Sequence, residues 1–244
     1  MRVPLRRSPG RRPLVVVADP AEVLGTADHR LLGADERARG RTRHHPAERD
    51  AYLAARLLVR GCAAVLTGRG ADELSVTQWC AECRTSGHGA PSLVGAPEVR
   101  ISWAHTRGAV VAAAAWDRVG VDVEALGPDD AVSALAAVLT PAERSQVWSA
   151  AEPSVRALRY WTRKECLVKA GLVAASQLAR TDLSRVVDRT DRSGRSVGRY
   201  RGLQLVDWRD PARGALIAVA GSGPPVIRSS AQLAAGAPGW TAGP

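Results

Sequence analysis

Apolar positions along the chain fall either into short unbroken runs or into stretches spaced like one face of a helix. Leu14 to Ala18 is an unbroken, β-branched run and predicts a buried strand. From about Pro46 to Leu66 the spacing turns helical: Leu58, Cys62 and Val65 recur beside Leu57, and Gly68 with Gly70 ends the element. A loop rich in Gly and Pro, Thr85 to Pro97, leads into Val99 to His105, where alternation places Val99, Ile101, Trp103 and His105 on one face. Thr106-Arg107-Gly108 reads as a hairpin turn and Ala109 to Ala115 as the returning strand. Val119 to Val123 predicts a further strand before the breaker Gly127-Pro128. Asp130 to Leu139 has helical composition. Thr140-Pro141-Ala142-Glu143 is a helix start, with a capping Thr, Pro at the first helical position and Glu where a capping box wants it. The next helix is predicted over Ser154 to Ala175. Leu203 to Trp208 and Ala215 to Ala220 then form a closing hairpin around Asp210-Pro211. Beyond Gly221 large apolar residues are few, which predicts a disordered tail.

Two halves echo each other in this pattern. Each offers strands and one long helix bearing Arg or Lys, Arg49 to Leu66 in the first and Ser154 to Ala175 in the second. The expectation is an α+β fold of two related lobes, residues 1–115 and 116–221, with the tail at 222–244. A chain of 244 residues with 45% hydrophobic side chains is long enough to bury the cores this requires.

Charge narrows the partners: a formal net charge of +10 points to something anionic, whether nucleic acid, a membrane surface, a phosphorylated small molecule or an acidic protein. The Arg-rich start, Met1 to Arg12, is followed by an apolar run too short for a signal-peptide core, and no segment has the length of a transmembrane helix. A soluble, cytoplasmic protein is expected. Of the four cysteines, only Cys80 and Cys83 have metal-ligand spacing. A zinc site would need His88 and one more ligand, so a loop carrying reduced thiols is the favoured reading.

Asp122 and Glu124 are one residue apart on a predicted strand and leave the same face. Two carboxylates side by side in an apolar strand repel unless a cation or proton lies between them. Magnesium suits such a pair, since it takes one or two carboxylates and fills its shell with water and phosphate oxygens. On this view removing one acid leaves the stability of the metal-free protein undiminished. Glu165 and Lys169, one helical turn apart, share a face. Alone they would be an ordinary surface ion pair. Trp161 and Leu167-Val168 crowd the same helix, and Lys164 adds a second cation beside the acid.

Gly120-Val-Asp122-Val-Glu124, followed about forty residues later by Trp161-Thr-Arg-Lys164-Glu165-Cys-Leu-Val-Lys169-Ala170, resembles the paired signature of the Sfp-type 4′-phosphopantetheinyl transferases. Ile101 to Thr106 resembles that family's strand ending in Ser-His, and Gly87-His88-Gly89-Ala90-Pro91 its Gly-basic-Pro loop. Glu36 to Arg39 with His44-His45 resembles its basic N-terminal segment, so the resemblance runs from about Leu31 to Ala220. It implies two pseudo-symmetric lobes with the active site in the cleft between them. It also implies a Mg2+-dependent transfer of the phosphopantetheine arm of coenzyme A to a serine of an apo acyl or peptidyl carrier protein. Asp122, Glu124 and Glu165 would be the metal ligands. Glu165 or a metal-bound water would take the serine proton before attack on the β-phosphorus releases 3′,5′-adenosine bisphosphate. Lys169 would steady the phosphates, His105 and Arg39 would face the 3′-phosphate, and Lys164 would act as an outer cation of the cofactor site. The enzyme would be a monomer that engages neither nucleic acid nor membrane.

Two positions depart from the family pattern: Ala90 stands where a cation is usual, and Ala104 where Ser precedes the histidine. Both departures bear on affinity for coenzyme A. Glu143 matches a family acid, but its capping-box place accounts for it. A metal-dependent nuclease is the alternative reading. Nucleases of the restriction-endonuclease kind place a lysine two residues after the second strand acid, where this chain has Leu126. A non-enzymatic nucleic-acid module is disfavoured, with three Tyr and no Phe for base stacking.

Overall fold

The computed structural model describes residues 12–80, 83–87, 89–127 and 131–242. The first half runs β1 (Leu14–Ala18), α1 (Pro20–Thr26), α2 (Ala34–Arg41), α3 (Pro46–Thr67), β2 (Ser75–Cys80), β3 (Thr85–Ser86), β4 (Ala90–Val94), β5 (Arg100–Thr106) and β6 (Ala109–Ala115). The second runs β7 (Val119–Ala125), α4 (Ala131–Leu135), α5 (Pro141–Trp148), α6 (Pro153–Lys169), β8 (Arg189–Thr190), β9 (Ser196–Tyr200), β10 (Leu203–Asp210), β11 (Ala215–Gly221), β12 (Val226–Arg228) and α7 (Ser230–Ala234). The fold is α+β.

Four layers stack as helix, sheet, sheet, helix. One sheet has the order β12-β1-β6-β5, the other β7-β11-β10-β9-β8, and every pairing in them is antiparallel except the parallel β1–β12. One core lies between α3 and the first sheet, one between the two sheets, and one between the second sheet and α6. This layering explains the unbroken apolar runs. In β1, Leu14, Val16 and Ala18 face the core under α3 while Val15 and Val17 face the core between sheets. In β6 the even-numbered residues from Val110 to Ala114 and their odd-numbered neighbours divide in the same way. With both faces buried, no position is left for polar alternation.

The chain crosses between the sheets from Ala115 to Val119. β7 is an edge strand whose open side is turned to β5, and there the Val121 amide donates to Ser102 Oγ at 3.0 Å. A buried hydroxyl thus satisfies an amide that no strand pairs with.

Three expectations change. Thr85 to Pro97, expected as loop, contains β3 and β4, which flank β2 in a small third sheet; Pro91 sits on its edge, where a missing amide is tolerated. The helix expected to reach Ala175 ends at Lys169. The segment expected to be a disordered tail is ordered. Val226–Arg228 pairs with β1, α7 follows, and Trp240 is fully buried with its indole N–H donating to the Leu57 carbonyl at 2.7 Å. Gly61 makes room for this, because a Cβ there would meet Leu233 and Trp240 at 2.8 Å. Trp240 and Leu233, both fully buried, anchor a segment that has few large apolar residues. Among the described residues no helix is long and apolar enough to cross a membrane.

Candidate active site at the junction of β5, β7 and α6

Glycine brings the two acid-bearing motifs together. A Cβ on Gly120 would stand 2.0 Å from the Cys166 carbonyl and 2.7 Å from the Ala170 amide, so only glycine lets α6 lie this close to β7. Cys166 closes the contact by donating its thiol to the Ala218 carbonyl at 3.1 Å. Trp161, Glu165 and Lys169, at i, i+4 and i+8, then form one stripe over the strand face that carries Asp122 and Glu124.

These side chains line a cavity of about 320 Å³. β5 contributes Trp103, Ala104 and His105, β7 contributes Asp122, Val123 and Glu124, and α6 contributes Trp161, Glu165 and Lys169. Lys169 Nζ donates to Asp122 Oδ1 at 2.6 Å, and Trp161 Nε1 donates to Glu124 Oε1 at 2.8 Å. Burial, the largest influence, raises the pKa of Asp122, Glu124 and Glu165. Lys169 opposes the shift in all three, and for Glu124 the Trp161 hydrogen bond opposes it more. For Lys169 burial pulls the other way, but the charge and hydrogen bond of Asp122 outweigh it and the net shift is upward. The short N–O distance and the raised ammonium pKa mark Lys169–Asp122 as an ion pair.

Asp122 Oδ2 is buried and has no hydrogen-bond partner among the described residues. An orphaned carboxylate oxygen beside a second carboxylate is the donor set a hard divalent cation takes, with water and phosphate completing its shell. The fit is to two carboxylates: among the described residues no group of three or more His, Cys, Asp or Glu is arranged to hold a metal ion.

A second, larger cavity of about 640 Å³ is lined by Arg39, Arg43, His44, His45, Tyr52 and Arg56, with Glu48, Gln78 and Gly87 among its other walls. Arg56 couples the two cavities, since its guanidinium lies 3.7 Å from the Tyr52 ring centroid and 4.8 Å from that of Trp103. It donates to Gln78 Oε1 at 3.4 Å, and burial lowers its pKa without discharging it. Cations meeting around empty space suit an anion. Sequence reasoning missed Arg43, Tyr52 and Arg56. Two arginines, Arg56 and Arg60, inside a run of Ala and Leu were the available signal.

His105 lines the first cavity and Arg39 the second. Burial, reinforced by Arg56, Arg43 and Lys169, lowers the His105 pKa to about 4, so the ring is neutral at pH 7. Arg39 is held by backbone carbonyls of Ser86 and Gly87. Lys164, expected at the cofactor, does not join them. It is fully buried, and Nζ donates to Val138 O (2.6 Å), Glu143 Oε2 (2.6 Å) and Leu178 O (3.1 Å). One residue along a helix is a rotation of about 100°, which turns Lys164 away from the stripe of Glu165. Glu143 keeps its capping box and also accepts from the Leu183 amide at 2.9 Å. Ala104 lines the first cavity, but Ala90 is exposed opposite Trp79, on the face of β2–β4 away from Gln78. A cation at position 90 would point away from the basic cavity. Cys83 Sγ lies 3.0 Å from Thr85 Oγ1, and His88 lies outside the described residues.

Residues 118–219 match the family model of the 4′-phosphopantetheinyl transferase superfamily. The match spans β7 to β11 and so contains Asp122, Glu124, Glu165 and Lys169, whereas Arg39 and His105 lie upstream of it. No curated protein matches the chain.

Proposed function

We propose that the chain is an Sfp-type transferase that moves the 4′-phosphopantetheine arm of coenzyme A to the serine hydroxyl of an apo acyl or peptidyl carrier protein. The observation that carries this reading is the meeting of Asp122, Glu124, Glu165, Lys169 and His105 on one cavity, with a larger arginine-lined cavity next to it. The first suits the reacting pyrophosphate, and the second suits the phosphorylated nucleotide end. A separate sheet with three of its four strands and its own long helix ahead of the matched region favours the two-lobed kind of enzyme.

Asp122 and Glu124 would hold Mg2+, which when bound neutralises charge developing on the pyrophosphate. Glu165, with its pKa raised by burial, is the better base for it and takes the proton as the serine oxygen attacks the β-phosphorus. The P–O bond to the nucleotide breaks, and 3′,5′-adenosine bisphosphate leaves. Lys169 reaches the phosphates while remaining tethered to Asp122. Neutral His105 donates one ring N–H to a phosphate oxygen, and Arg56 and Arg43 supply the charge. Phosphoryl transfer needs this positioning and charge more than covalent help. The nuclease alternative gains no support from the site.

The test is intact mass spectrometry of apo carrier proteins incubated with coenzyme A and Mg2+. One added phosphopantetheinyl group is expected, with loss of transfer by orders of magnitude in Asp122→Ala and Glu165→Ala. Transfer retained by both variants refutes the assignment of these acids.

A further inference from the structure

Each strand acid has one oxygen occupied by a protein donor. Lys169 holds Asp122 Oδ1, leaving Oδ2 buried and unpartnered, and the indole N–H of Trp161 holds Glu124 Oε1 at 2.8 Å. Trp161 is half-buried and stands one turn before Glu165 on the stripe that faces β7. Glu124 has three side-chain torsions and lies near the end of β7, where the next residue is already exposed. Without an anchor its carboxylate would sample several rotamers, and fixing it on metal binding would cost that freedom. An indole offers a single donor and no acceptor, so it orients a carboxylate without competing for the cation.

We infer that Trp161 is a positioning residue for the metal site: its N–H fixes Glu124 by one oxygen and presents the other, beside Asp122 Oδ2, as a one-oxygen ligand. This rests on the proposed metal role of Asp122 and Glu124. Groups that orient ligands from outside typically change metal affinity by roughly tenfold to a hundredfold when removed.

The variant is Trp161→Phe, which keeps a ring against β7 and deletes only the donor. Binding of Mn2+ to the purified protein, without coenzyme A, is followed by the electron paramagnetic resonance of the free ion, and melting temperatures are taken without metal. The expected result is affinity weakened roughly tenfold to a hundredfold. In a Glu124→Ala background the same substitution should add nearly nothing, because the group it acts through is gone. Wild-type affinity in Trp161→Phe overturns the inference while leaving the metal site standing. Additive losses in the double variant overturn it too, since they indicate a general packing role. If wild-type protein and Asp122→Asn alike bind no Mn2+, the metal reading itself fails and the inference with it.

Discussion

Replacing Lys169 by Met removes the cation from Asp122 while keeping a similar apolar stem. The pair is unequally exposed, with 29% of the lysine side chain accessible against 6% of the aspartate. Among the described residues Oδ2 has no hydrogen-bond partner, so Lys169 on Oδ1 is the side-chain donor on which Asp122 relies. Stripping one partner from a buried pair costs about 3–5 kcal/mol, and the partial exposure of Lys169 lowers this to about 2–4 kcal/mol. A ceiling comes from the acid itself, which can protonate. Neutralising a carboxylate of ordinary pKa at pH 7 costs about 4 kcal/mol, at about 1.4 kcal/mol per pH unit. In the variant the folded-state pKa of Asp122 rises further above its unfolded value. The penalty is therefore fully present above the folded pKa and disappears as pH falls to the unfolded one. At pH 5 the ceiling has dropped to about 1.5 kcal/mol. Asp122→Asn should cost less than Lys169→Met at pH 7, because the lysine it strands can turn to water. The assay is urea unfolding of wild type and both variants at pH 7 and pH 5 with a chelator present. A Lys169→Met protein as stable as wild type at pH 7, or a penalty that does not shrink at pH 5, refutes the reasoning. The Lys169–Asp122 pair also replaces the sequence-based expectation that removing a strand acid leaves the stability of the metal-free protein undiminished, because an ammonium already pairs with Asp122 there.

Three further outcomes follow from buried groups. His105 should titrate near pH 4 by nuclear magnetic resonance. Its folded pKa lies below the unfolded 6.5, so the stability it contributes is present above that value and lost as pH falls toward 4, and a midpoint at or above 6.5 contradicts the burial argument. Trp240→Ala should destabilise by about 3–5 kcal/mol in chemical denaturation, and deletion of residues 222–244 should lower the melting temperature markedly; a silent deletion would mean the segment does not dock. Lys164→Met, which strands Glu143 with no exposure, should cost about 3–5 kcal/mol of stability, yet leave the KM for coenzyme A of the folded fraction near wild type. A raised KM without loss of stability would return Lys164 to the ligand.

The strands were legible because the layering leaves its mark on single residues. β6 is apolar at all seven positions since cores lie on both of its faces, and β5 alternates because Ser102 and Ala104 face β7 while Ile101, Trp103 and His105 face α3. The acids of β7 and the Glu165–Lys169 pair were legible for the same reason: period two and period four each put chemistry on one face. What stayed hidden depends on neighbours distant in sequence. Arg56 is a cavity residue because Arg39, Gln78 and Gly87, distant from it along the chain, close the cavity around it. The order of residues 226–240 depends on a notch at Gly61 that no property of those residues announces. Lys164 was misjudged because closeness in sequence to Glu165 was taken for closeness in space.

Lysine usage bears on the same point. Of 34 Lys and Arg residues only Lys164 and Lys169 are lysines, both on α6 and both paired to a buried carboxylate. An ammonium has three donors on one small centre, and at Lys164 three acceptors meet it with no solvent access, so each donor is used. A guanidinium there would bring five donors in a plane and leave some unsatisfied in a sealed pocket. At Lys169 the demand is different. The cation pairs with Asp122 and still faces the cavity, and under the proposed function a compact charge on a flexible stem can shift between that carboxylate and a substrate phosphate in a way that a rigid fork locked on one carboxylate does not. Among the Lys and Arg residues of a chain that otherwise uses arginine, the two exceptions sit where geometry asks for a point, one buried among three acceptors and the other facing the cavity beside Asp122.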